Sequence, residues 1–214
     1  MDEDISIINS NTRSERIKKF FINNKKSLIL TLFSITLIIF SYFVYGELKE
    51  KKNKILANKY NNISINFKSL NEKEVKSQLV EIIDEKNSTY SPLALYFIID
   101  NDIKSSNREI NEYFDILINK VNLDKEIKNL IIYKKGLFNS DFESENNLIE
   151  ILKPIINSDS VWKSHALYLI AEYFMDKNQK QKAKEFYNQI LNYKKSNDNI
   201  LVEAKKRLNR DFSE

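Results

Sequence analysis

An apolar run from Leu28 to Tyr45, interrupted only by serine and threonine and free of charge, dominates the hydropathy pattern. At about 1.5 Å per residue, Ser27 to Gly46 makes a helix of roughly 30 Å, the thickness of a bilayer's hydrocarbon layer. Beyond it, apolar residues recur at helical spacing in short blocks separated by polar breaks. Ile55, Leu56, Tyr60, Ile63 and Phe67 continue a stripe out of the run, so the first helix is expected to extend past it. Ser69 to Asn71 reads as a break, and Val75, Leu79, Ile82 and Ile83 mark a second helix. Lys86 to Ser91 is the next break, with Pro92 suited to the first turn of a third helix.

From there the pattern repeats. Ala94-Leu95-Tyr96 with Ile98 returns as Ala166-Leu167-Tyr168 with Ile170, and Ile110, Tyr113, Phe114 and Leu117 return as Ala183, Phe186, Tyr187 and Ile190. The offset of about 72 residues is twice the ~34-residue tetratricopeptide period, so another helix pair is expected between the copies. In its first helix Ile127, Leu130, Ile131 and Leu137 are the expected inward residues. In its second these are Leu148, Ile151, Leu152 and Ile155, with Pro154 expected to kink or end the helix early. The last pair matches the repeat pattern best, through Leu167, Ile170, Ala171, Phe174, Ala183 and Tyr187. Ala171 and Ala183 supply the small side chains that two closely crossing helices need, and Phe174 and Tyr187 fill the space beside them. Ile200, Leu201, Ala204 and Leu208 form the stripe of a capping helix, with Lys206, Arg207 and Arg210 expected mostly away from it.

The expected fold class is therefore all-α: one transmembrane helix, then an α-solenoid of about four tetratricopeptide-like helix pairs and a capping helix. Residues 1–26 form a leader, 27–46 the span and 47–211 the helical domain. Met1 to Thr12 is polar and acidic and is expected to be disordered. From Arg13 to Lys26, Ile17, Phe20 and Phe21 fall on one side and Arg16, Lys18 and Lys19 on the other. That suits a helix lying on the membrane surface, or equally the first turns of the span itself. Val44 and Gly46 resemble the small residues of a signal-peptide cleavage site, but the long leader favours an uncleaved anchor. Lysines flank the run on both sides, so charge leaves the orientation open. A short N-terminal tail ahead of a large domain suits a cytoplasmic N-terminus.

Composition mainly removes alternatives. With 2 Gly and 2 Pro in 214 residues, β-hairpins and glycine-rich phosphate loops are nearly excluded. The lack of cysteine removes disulfides, thiolate metal sites and thiol nucleophiles. A net charge of +4 from 34 basic and 30 acidic residues, mixed along the chain, leaves no nucleic-acid footprint. The single histidine, His165, cannot form a multi-histidine metal site, and nothing marks a serine and carboxylate to complete a triad with it. Trp162 is expected to pack. No catalytic residue, cofactor, metal or small-molecule substrate is expected; the chain is expected not to be an enzyme.

The basic leader from Arg16 to Lys26, the span, Leu152-Lys153-Pro154 ahead of Trp162, and the repeat from Ala166 to Leu191 together resemble a bacterial family. It is the tetratricopeptide-domain group of the ancillary SecYEG translocon subunit, in its alphaproteobacterial form. The chain departs from the repeat pattern at Leu167, where tryptophan is usual, and in having no proline after the last pair's second helix. The resemblance implies a single-pass protein of the bacterial inner membrane, N-terminus cytoplasmic and C-terminal domain periplasmic. Its implied partners are translocon subunits, periplasmic chaperones or exported chains.

A tetratricopeptide first helix turns the residues between its packing positions into the concave groove. Here these are His165, Tyr168 and Glu172, with Tyr96 and Asp100 at the equivalent places of the earlier pair. Tyrosine beside a carboxylate offers flat apolar area and hydrogen bonds to a peptide; the alternative is that these side chains are simply half-buried. The expected function is a membrane-anchored periplasmic scaffold that binds proteins. A coordinator of envelope assembly or cell division with the same fold is the alternative.

Overall fold

The computed structural model describes residues 15–212, so the expected disorder of Met1 to Thr12 lies outside the described residues. The described chain is all helix, turn and loop, with no strand among the described residues. Residues 15–23 are helical, Asn24 is a turn, and α1 comes next as Lys25–Asn66. The helical hydrogen bonding carries across that turn, since Asn24 N–H donates to the Phe20 carbonyl and Leu28 N–H to the Asn24 carbonyl. The leader thus enters α1 as its preceding turns.

α1 is long and apolar enough to cross a membrane, and the apolar window that meets that test has nothing packed on it. Within the apolar run, Thr31, Ser34, Thr36 and Ser41 return their hydroxyls to the carbonyl four residues back, each at 2.9 Å. That satisfies polar groups which hydrocarbon could not. As expected, the helix runs on without a stop. The chain divides into two compact units within α1, between Ile55 and Leu56.

The second unit begins with the end of α1, which buries Leu56 and Ile63. A 3₁₀ turn, Phe67–Ser69, leads to α2 (Glu72–Asp84), α3 (Tyr90–Asp100), α4 (Asn107–Lys120), α5 (Lys125–Asn139), α6 (Glu145–Ile156), α7 (Lys163–Asp176), α8 (Lys180–Asn192) and α9 (Asp198–Phe212). From α2 on, each helix packs on the next, and contacts also join α2 to α4, α5 to α7 and α7 to α9, the layering of stacked helix pairs. Val75, Leu79, Ile82, Ile83, Ala94, Leu95, Ile98, Phe114 and Leu117 form the first core. Leu148, Leu152, Ile155, Leu167, Ile170, Phe174, Tyr187 and Ile190 form the second. α5 joins them, because consecutive residues point opposite ways, Ile131 into the first core and Ile132 into the second.

Local chemistry sets the helix ends. Ser106 and Glu109 form a reciprocal capping box at the start of α4, and Asn71 and Ser144 cap α2 and α6. Pro154 lies in the last turn of α6, which runs two residues past it to Ile156. The stops after α2, α3 and α7 place Lys86, Asp102 and Asn178 at positive φ, 52°, 50° and 55°. After α3 and α7 the next N–H, of Ile103 and Gln179, closes back onto Ile98 and Phe174. This is the turn that glycine usually makes; a chain so poor in glycine makes it with side chains that tolerate the left-handed region less well.

The middle pair differs from expectation. Ile127 and Leu137 are exposed, not inward, while Asn129, Ile132, Gly136 and Asn139 face the core. The reason is Gly136. It sits where Ala171 sits in the last pair, and a Cβ there would lie 2.5 Å from Cδ2 of the buried Leu152, so α5 turns its barest position to α6. Asn139 exchanges amide hydrogen bonds with Asn111 of α4, at 2.8 and 2.9 Å, and so satisfies a buried polar group that the apolar pattern could not have placed.

Candidate functional site

The first helices of three successive pairs carry the same signature, Ala94-Leu95-Tyr96 on α3, Ile131-Ile132-Tyr133 on α5 and Ala166-Leu167-Tyr168 on α7. In each, the first two residues are buried and the tyrosine is half-buried. Apolar spacing alone does not single out Tyr133, although its own triplet carries the signal, because the face it predicts for α5 is rotated away from this residue.

The five expected groove residues have different surroundings. Tyr96 lies on the α3 wall of a groove between α3 and α5. Its hydroxyl is enclosed without a hydrogen-bond partner, and Lys134 Nζ stands 4.5 Å over its ring. Burial, with the negative charge of Asp100 beside it, pushes that phenol up to about 12. Asp100 itself is exposed on the same helix face.

His165 belongs to an aromatic cluster linking α7 to α5. Its ring centre is 5.2 Å from Trp162 and 5.9 Å from Tyr133, and those two rings stack at 5.8 Å. Trp162 packs, as expected. His165 Nδ1 is enclosed without a partner, and burial pulls the imidazole below its ordinary pKa, partly opposed by the Val161 carbonyl. A base with a depressed folded pKa stabilises the fold fully above its unfolded value, about 6.5, and that contribution disappears as pH falls through the folded value. The melting temperature should therefore drop on acidification below about pH 6.5, and His165→Gln should flatten that part of the curve. A profile identical in the variant would place the titration elsewhere.

Tyr168 and Glu172 meet the capping helix. Glu172 accepts a hydrogen bond from the Tyr187 hydroxyl and pairs with Arg207 of α9. Arg207 therefore points inward, against the expectation that it lies away from the cap's packing side. It is drawn in by a carboxylate that would otherwise be half-buried without a counter-charge. Burial and then Glu172 push the Tyr187 hydroxyl above its ordinary range. The structure thus leaves Asp100 exposed, holds the Tyr96 ring at the groove wall with its hydroxyl enclosed, and commits Glu172 to holding the cap.

The open part of this face is apolar. Leu93, Ile127 and Leu137 remain 38 %, 44 % and 49 % exposed beside the buried residues of the same helices. Pro92, Leu93 and Tyr96 on one side and Ile127, Leu130 and Ile131 on the other line a groove of about 520 Å³. No group of three or more His, Asp or Glu able to hold a metal occurs among the described residues. The face offers apolar area, aromatic rings and the exposed Asp100 carboxylate.

The fold and this face define an all-helical array of stacked pairs behind a helix long enough to span a bilayer. No family model matches the chain, and no solved structure matches it. Midasin of Dictyostelium discoideum is 31 % identical over 132 residues, which is 58 % of this chain. The chain spans 2 % of that relative's length, a likeness confined to one short segment of a very long protein.

Proposed function

We propose that this chain is a membrane-anchored scaffold whose stacked helix pairs bind another protein through the face formed by α3, α5 and α7. The observation that carries the reading is the set of exposed apolar side chains, Leu93 and Ile127 in the same groove as Tyr96, and Leu137 one turn on from Tyr133 along α5. Isolated exposed leucines need no explanation, but a contiguous apolar face framed by polar residues is what protein-binding surfaces present. The anchor is the apolar part of α1, residues 27–46, which supports single-pass insertion; a bacterial inner membrane with the helical domain in the periplasm is the placement that the resemblance to the translocon subunit implies. Tethering raises the effective concentration of partners in the same membrane, so a modest groove suffices. The resemblance to the ancillary translocon subunit extends the proposal to translocon subunits, periplasmic chaperones or exported chains as the partners.

Two measurements test it. Alkaline extraction should leave the full-length protein in membranes and release a variant lacking residues 27–46. A photoreactive side chain at Leu137 should capture a protein partner in intact membranes, whereas one at Glu185, exposed on α8, should not. Equal capture from both positions, or none from Leu137, overturns the face assignment; extraction of the full-length chain overturns the anchor.

A further inference from the structure

We propose that the groove between the N-terminal halves of α3 and α5 receives an apolar segment of the partner chain flanked by lysine or arginine. This rests on the scaffold reading above and specifies the chemistry of what that scaffold holds. The groove's volume lies within the roughly 300–1,000 Å³ of ordinary ligand sites. Its floor is Leu130, Ile131 and Pro92, and its lips are Leu93 and Ile127, both left substantially exposed. A well-packed helix pair would have covered these side chains, so the groove offers area that only an incoming chain can bury.

Charge selects the flanks. Asp124 is the one charged residue lining the groove among the described residues, and it stands at the N-cap of α5 without making the capping hydrogen bond that its position invites. Asp100 lies further along the α3 face past Leu93 and Tyr96, near enough to raise the Tyr96 phenol. Neither carboxylate is ion-paired among the described residues. Lys134 is turned onto the Tyr96 ring, and Lys125 and Lys128, which follow Asp124 in the first turn of α5, form no ion pair with either carboxylate among the described residues. The apolar stretch is therefore bracketed by two unneutralised carboxylates, and a cationic residue on either side of an apolar anchor complements both. Such complementarity acts mainly on selection among partners, with apolar burial supplying the attraction.

The test uses the full-length protein in nanodiscs of zwitterionic lipid. Its probes are two fluorescent peptides with the same leucine-rich centre, one ended by lysines and the other by glutamates. The lysine-ended peptide should bind roughly tenfold more tightly, and Asp100→Asn with Asp124→Asn should erase that preference while leaving asparagine as an N-cap. Leu93→Ser with Ile127→Ser, which removes apolar area without adding charge, should abolish binding of both peptides without loss of helical circular dichroism, because both positions are exposed. Equal affinity of the two peptides for the unaltered protein overturns the proposal, as does binding that survives the serine pair. If that pair instead disperses an oligomer, the occupant is a second copy and the proposal fails. Capture from Leu137 in membranes would persist through any of these failures if the scaffold reading is right, so the two claims fail separately.

Discussion

Gly136→Leu should destabilise the helical domain by about 3 kcal/mol, at the upper end of the usual range for overpacking. The glycine lies within α5, where its conformational freedom is a disadvantage of about 1 kcal/mol against alanine, so helix propensity alone favours replacing it. Packing forbids it. Even the first side-chain carbon would stand 2.5 Å from Leu152 Cδ2 and 2.9 Å from its Cγ, and Leu152 is fully buried, so it has no room to rotate away. Gly136→Ala sets the two effects against each other and should cost about 1 kcal/mol or less. Leu152→Ala introduced with Gly136→Leu moves the bulk across the contact and should restore most of the loss. Thermal or urea melts of the detergent-solubilised protein, monitored by circular dichroism, read all three variants. A Gly136→Leu protein as stable as the original would mean that α5 and α6 do not cross at that residue.

Much of this architecture is legible in the sequence because it rests on periodicity. The apolar run before Gly46, the continuation of α1 through Leu56 and Ile63, and the packing of Ala171, Phe174, Ala183 and Tyr187 all come from spacing, and the structure has each as expected. The middle pair is not legible, and its residues show why. Leu, Ile and Leu at 130, 131 and 137 look like a buried face, but burial is decided by which side of α5 can approach α6, and one hydrogen in place of a side chain decides that. The inward side also carries Asn129 and Asn139, whose polarity argues against burial until the amide exchange with Asn111 is seen. Tyr133 escapes notice for the same reason, since a rotated face places it among solvent residues.

The groove is partly legible. The repeat position of Tyr96 puts it on the groove wall, with Asp100 exposed one turn on, whereas Glu172, at the position equivalent to Asp100, is engaged by the chain's own last helix. The difference lies in the helix stacked beside each. α3 is flanked by α5, whose matching positions are Ile127, Leu130 and Lys134, while α7 is flanked by α9, which brings an arginine. A repeat position thus specifies a direction in space, and the neighbouring helix determines whether that direction ends in solvent or in a salt bridge.

That same contact makes the second large prediction. Arg207→Glu should release α9 from α7 and cost about 2–3 kcal/mol, because it replaces an attraction with like charges facing across the contact. The figure sits below the 3–5 kcal/mol usual for a broken buried pair because about 30 % of each side chain remains in water. The rest of the cap's hold is apolar and aromatic contact with α8 and α7, including Phe212 edge-on to Tyr187. Ala204 is the cap's one fully buried residue among those described, while Ile200, Leu201, Leu208 and Phe212 are only partly covered. Its N-terminus is fixed by Asn197, which caps the first turn and donates its own N–H to Ser164 at 3.2 Å. Loss of the pair should appear as fast hydrogen exchange across Asp198–Phe212, with protection in α2 to α6 retained, since stacked pairs contact only their neighbours. Tyr187 and Ile190 beneath the cap should then become exposed, with concentration-dependent association through the uncovered surface. Exchanging the charges, Glu172→Arg with Arg207→Glu, should recover part of the protection but not all of it, because the Tyr187 hydroxyl loses the carboxylate that accepts its hydrogen bond. Should α9 stay protected in Arg207→Glu alone, apolar contact holds the cap and the ion pair is incidental to it.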